Sequence, residues 1–78
     1  MAPEARIFGQ VLRQFRNERK LSQEALAFDS GVDRTFISDM ERGVKQPTIT
    51  TIYRLARALN ISVVELMAAV DKVVSSEA

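Results

Sequence analysis

Residues 21–43 read LSQEALAFDSGVDRTFISDMERG. Two apolar clusters flank Ser30-Gly31, and Gly31 suits the left-handed conformation that closes a helix. Ser22 reads as an N-cap, because its hydroxyl can accept a backbone N–H of the next turn. It opens a short helix from Gln23 to about Asp29, with Ala25, Leu26 and Phe28 apolar. Asp33 is a second N-cap. It opens a helix from Arg34 to about Arg42 in which Ile37 and Met40 are apolar and Phe36 lies one turn before Met40. Gly43 ends that helix. Two short helices joined by about four residues must turn through a large angle. The apolar stripe leaves Arg34, Thr35 and Ser38 on polar faces at the start of the later helix.

Working outward, Ile7, Phe8, Val11, Leu12 and Phe15 recur at spacings of three and four. That is one helical stripe, predicting a first helix from about Ala5 to Lys20. Arg16, Arg19 and Lys20 favour its C-terminal dipole. Downstream, Thr48 caps a fourth helix carrying Ile49, Ile52, Leu55, Ala56 and Leu59, which Asn60 can close in the left-handed conformation. Ser62-Val63-Val64-Glu65 matches a capping box, with Glu65 reaching back to the Ser62 amide. It opens a fifth helix to about Val74, and residues 75–78 are expected to fray. No window alternates like a strand. The expected fold is all-α: a compact five-helix bundle, one domain over residues 1–78 with a core over about 5–74.

Composition narrows the chemistry. Of 78 residues, 46% are apolar and 27% charged, close to the globular norm of roughly 45–50% and about 25%. There is no Cys and no His, which removes disulfides, thiol nucleophiles, zinc fingers and imidazole bases. The carboxylates form no recognisable catalytic pair, and no Gly-rich phosphate loop is present. Neither enzymatic activity, a metal, a cofactor nor a small-molecule ligand is expected. No apolar run nears the roughly 18 residues that span a bilayer. The start of the chain has no signal-peptide h-region. No membrane association and a cytoplasmic location are expected. Net charge is +1, from 11 basic and 10 acidic residues, so any surface for a polyanion must be a local patch.

The second and third helices, about residues 23–42, have the spacing of a helix-turn-helix, whose later helix points its N-terminal residues into the DNA major groove. The strings Leu21–Ala27, Ser30–Ser38, Glu41-Arg42-Gly43 and Pro47-Thr48-Ile49 together resemble the phage-repressor/Cro-like (XRE) family, over about residues 7–67. The Asp33–Ser38 string is similar to that of restriction–modification controller proteins. The resemblance implies a lambda-repressor-like fold and a transcriptional regulator of double-stranded DNA. It places Arg34, Thr35, Ser38 and Asp39 at base edges, with Asp39 standing where relatives often carry Gln. It places Gln23, Phe36, Arg42, Lys45, Gln46 and Thr48 along the phosphates. Gln23 also lies at a helix N-terminus, where free amides attract phosphate. Phe36 stands where relatives often have a Tyr whose hydroxyl reaches the backbone. Arg16 and Glu41 match a pair that forms a partly buried salt bridge in related repressors.

The fifth helix carries more apolar side chains than one inward face needs: Ile61, Leu66, Met67, Val70, Val73 and Val74, with Val63 and Val64 besides. Surplus apolar helix surface on a small protein is usually paired. The family pairs through this helix, about residues 62–74, so a homodimer on a pseudo-palindromic operator is expected. An antitoxin-type interaction module that also binds its own operator is the alternative.

Overall fold

The computed structural model describes residues 3–77. Five helices follow in chain order: α1 (Pro3–Glu18), α2 (Gln23–Ser30), α3 (Arg34–Glu41), α4 (Ile49–Ala58) and α5 (Val63–Glu77). Among the described residues there is no strand. The all-α expectation holds, and the differences lie at helix ends.

Each of the last four helices opens on a side-chain cap. Ser22 Oγ accepts from the Ala25 amide at 3.0 Å, Asp33 Oδ2 from Thr35 at 2.9 Å, Thr48 Oγ1 from Thr51 at 3.1 Å and Ser62 Oγ from Glu65 at 2.9 Å. The capping box is half complete: Glu65 is exposed, and among the described residues no bond returns from its carboxylate to the Ser62 amide. The helix exits share another device. α1 stops at Glu18 instead of Lys20, because Lys20 takes a left-handed φ of 58°. The Lys20 and Leu21 amides then donate back to the Asn17 and Arg16 carbonyls at 3.0 and 3.1 Å. Gly43 with Val44, and Asn60 with Ile61, close α3 and α4 by the same pair of reversed bonds. At the far end, α5 continues past Val74 to Glu77. Residues 75–77, expected to fray, are helical, and the Glu77 carboxylate meets Arg6 of α1 at 2.7 Å; Ala78 lies outside the described residues.

The core draws on every helix. Ile7 and Leu12 of α1, Leu26 of α2, Ile37 and Met40 of α3, Leu55 of α4 and Leu66 of α5 are fully buried, as is Leu59 beyond α4. α1 lies between α5 and α3, α2 packs on α3 and α4, and α4 also meets α5. Phe28 departs from the apolar reading of α2: it is 89% exposed. Two residues along a helix turn it nearly opposite Leu26, and α2 is too short to bury both sides.

Of the three glycines, Gly9 is the most tightly packed. A Cβ there would lie 2.0 Å from the Met40 carbonyl oxygen and 3.1 Å from that of Glu41. Both are backbone atoms, so no rotamer change relieves the contact. Helix propensity alone favours Ala over Gly by about 1 kcal/mol. Here overpacking wins. Gly9→Ala is expected to lower stability by about 2 kcal/mol and the thermal midpoint by about 10 °C. A melting curve with an unchanged or raised midpoint would show that α1 is free to move off α3.

Candidate nucleic-acid interface

The corner between α2 and α3 is three residues long, Gly31 to Asp33. Gly31 takes φ 72° and returns its amide to the Ala27 carbonyl at 2.9 Å. Ser30 Oγ accepts the Val32 amide at 3.1 Å, and Val32 plugs into the core. Asp33 then caps α3. Every polar backbone group of the reversal that these bonds engage is satisfied locally, which makes the corner stiff.

Arg16 anchors the pair of helices from below. Its Nε and Nη2 donate to the Glu41 carboxylate at 2.7 and 2.9 Å, and its Nη1 donates to the Leu21 carbonyl at 2.8 Å. The two side chains are 12% and 4% exposed. Gln23 Nε2 also donates to Glu41, at 3.2 Å. Hydrogen bonding to Glu41, against the opposing effect of burial, holds the Arg16 guanidinium above its ordinary pKa. One carboxylate thus joins α1, the start of α2 and the end of α3.

The exposed front of α3 carries Arg34 and Thr35. Among the described residues, neither side chain has an intramolecular hydrogen bond or ion pair, so both are available to a ligand. Ser38 is half-buried one turn on. Arg42, Lys45, Gln46 and Thr48 are exposed after it. Several expected contacts are altered by intramolecular partners. Asp39 does not project as a reader of base edges: its carboxylate is 14% exposed and is held by Arg42 Nη2 and, at 3.8 Å, by Lys45 Nζ. Phe36 packs on the core and has no hydroxyl to offer a phosphate. Gln23 gives one amide N–H to Glu41. The Thr48 hydroxyl is taken up by the backbone and hydroxyl of Thr51. Gln46 turns toward an open cleft of 290 Å³ floored by Phe8, Ile52, Met67 and Val74.

The reading of α5 also changes. Leu66 and Val70 are buried in the chain's own core, and Ile61, Met67, Val73 and Val74 pack partly against it. On α4 and α5 the large apolar side chains left exposed among the described residues are Val64, at 78%, with Ile49 and Tyr53, at 74% and 48%; Phe28 of α2 and Val44 after α3 are exposed elsewhere. Ile49 and Tyr53 are one helical turn apart and flank Ile52, which lines the cleft with Met67. Sequence reasoning missed this α4 contribution because Ile49 fits the core stripe. It also missed Arg19, whose Nε donates to the Leu59 carbonyl at 2.8 Å and closes the end of α4. Among the described residues no helix is long and apolar enough to cross a membrane.

A family model described as helix-turn-helix matches residues 12–66. The chain belongs to this helix-turn-helix (XRE) family of transcriptional regulators. It is 44% identical over 61 residues to the control protein C.SmaI of Serratia marcescens, covering 78% of this chain and 73% of that one. Among solved structures it is similar to the restriction–modification controller C.AhdI of Aeromonas hydrophila. The TM-score is 0.80 at 43% identity, covering 83% of this chain and 98% of that one. The controller C.Esp1396I, solved as a tetramer in complex with its natural 35-base-pair operator, matches with a TM-score of 0.85 at 29% identity, over 92% of this chain and 95% of that one.

Removing Glu41 strands a nearly buried guanidinium. Glu41→Ala is expected to lower the unfolding free energy in urea by about 3–5 kcal/mol. A loss below about 1 kcal/mol would mean that the bridge behaves like an exposed pair.

Proposed function

We propose that the protein is a sequence-specific regulator of transcription, of the restriction–modification controller type, that binds double-stranded DNA as a homodimer in the cytoplasm without a cofactor. One observation carries this reading: Arg34 and Thr35 stand exposed at the N-terminus of a helix that is anchored at its other end, and their side chains have no partner among the described residues. The Arg34 guanidinium fits the paired acceptors O6 and N7 of guanine, worth about 1–3 kcal/mol of discrimination. Thr35 offers a hydroxyl, or a methyl group for thymine, and Ser38 reaches a base or sugar one turn further in. The N-terminus of α2, with Gln23 beside it, faces one phosphate strand. Arg42 and Lys45 meet the other edge. Phe36 and Asp39 contribute no direct contact to the duplex in this reading.

The same reading pairs two chains about an isologous interface. Leu66 and Val70 are spent on the core, so the pairing surface comprises Val64 and Met67 of α5 with Ile49 and Tyr53 of α4. The half-buried Ile61, Val73 and Val74 contribute only edges. A two-fold arrangement then offers two recognition helices to successive major grooves about 34 Å apart. Support comes from C.Esp1396I, which assembles on its operator as a tetramer. The relatives named above are control proteins, so the antitoxin alternative is set aside.

Selection from a random duplex library with the purified protein tests the reading, followed by binding of two variants to the recovered sequence. Arg34→Ala is expected to lose about 1–3 kcal/mol on the selected sequence and to relax preference at one base pair. Lys45→Ala is expected to weaken all duplexes alike and to reduce the salt slope by about one. If both variants bind like the parent, the assignment of this face fails. Sedimentation gives the second test: Val64→Glu should shift the dimer toward monomer, and a parent that is monomeric at high micromolar concentration with and without DNA would contradict the pairing.

A further inference from the structure

Asp39 is an anionic residue set among the groups proposed to meet an anionic ligand. It lies one turn after Thr35 and beside Ser38 on α3, and is half-buried. Its Oδ1 is bonded to Arg42 Nη2, and its Oδ2 lies 3.8 Å from Lys45 Nζ. The carboxylate is mostly enclosed, whereas the Arg42 and Lys45 side chains are 64% and 62% exposed. No other acidic side chain makes an ion pair with either cation among the described residues.

We infer that Asp39 is a specificity-determining residue that acts through Arg42 and Lys45, restraining their attraction for duplexes in which α3 is not seated. This rests on the DNA-binding reading above. Two free cations at the edge of the groove would draw in any duplex, because phosphate attraction is independent of sequence. The Asp39 carboxylate offsets part of that field and holds both cations back against α3. Arg42 and Lys45 exchange it for phosphate where the duplex is close enough to meet them, which requires Arg34 and Thr35 to be seated on their bases. On a wrong sequence the duplex stands off. The carboxylate keeps its partners, and its own charge opposes the nearest phosphates. Discrimination then comes from a repulsive element as well as an attractive one.

The experiment uses Asp39→Asn in the full chain, which keeps the side-chain shape and removes the charge. Affinities are measured across a salt series for the operator recovered by library selection and for a random-sequence duplex. The expected result is a rise of about 3–10-fold on the random duplex, with its log–log salt slope steeper by about one. The rise on the operator should be smaller, so that the operator-to-random ratio falls at least about fivefold. Arg42→Ala added to Asp39→Asn should return the random-duplex affinity toward the parent value, whereas Lys72→Ala added to it, which removes the same charge from α5, should not; equal effects of the two would indicate a general charge effect and overturn the inference. Asp39→Ala, checked for an unchanged melting midpoint, should lose the same ratio. An equal rise on both duplexes, or no change on either, overturns the inference while leaving the DNA reading intact. A parent that selects no sequence overturns the DNA reading itself, and the role of Asp39 with it.

Discussion

Arg16 and Glu41 form the link on which the rest of the structure depends. α3 is eight residues long, and an isolated helix of that length is not stable in water. Its direction must be imposed from outside. The Arg16–Glu41 bridge grips the last turn of α3, and the backbone approach of Gly9 to Met40 grips the same turn from α1. The N-terminal turn of α3 is left to project. The helix is held at one end and presents Arg34 and Thr35 at the other.

The bridge also sets the relation between the two short helices. The Leu21 carbonyl precedes α2, Gln23 begins it, and both bond to members of the bridge. The free amides of α2 and the exposed side chains of α3 therefore sit in one rigid frame. A rigid frame matters for binding because ordering a loose surface costs affinity on every contact it makes. The stiff corner of Gly31, Val32 and Asp33 serves the same end with few residues.

The chain as a whole is nearly neutral, yet the end of α3 and the loop after it carry Arg42 and Lys45 around a single enclosed carboxylate. Ile49, Tyr53 and Val64 gather on α4 and α5. A chain this small buries only about 60% of its unfolded surface. An open apolar face is therefore both a cost to the monomer and a ready means of association.

Local chemistry determined much of this protein. The caps at Ser22, Asp33, Thr48 and Ser62 and the left-handed exits at Gly31, Gly43 and Asn60 are decided within a few residues. Hence the five helices, and the exposed position of Arg34, are legible in the order of residues alone. Lys20 was not legible, since a lysine carries no mark of the left-handed turn it makes. Nor were the roles that depend on residues distant in the chain. Periodicity lays out an apolar stripe, but tertiary packing chose which of its members meet the core, enclosing Leu66 and Val70 and leaving Ile49 and Val64 outside. Only the folded chain placed Gly9 against Met40, tied Glu77 to Arg6 and turned Asp39 away from the front of α3. Capping is a matter of neighbours along the chain, whereas burial and ion pairing are settled by what another helix brings alongside.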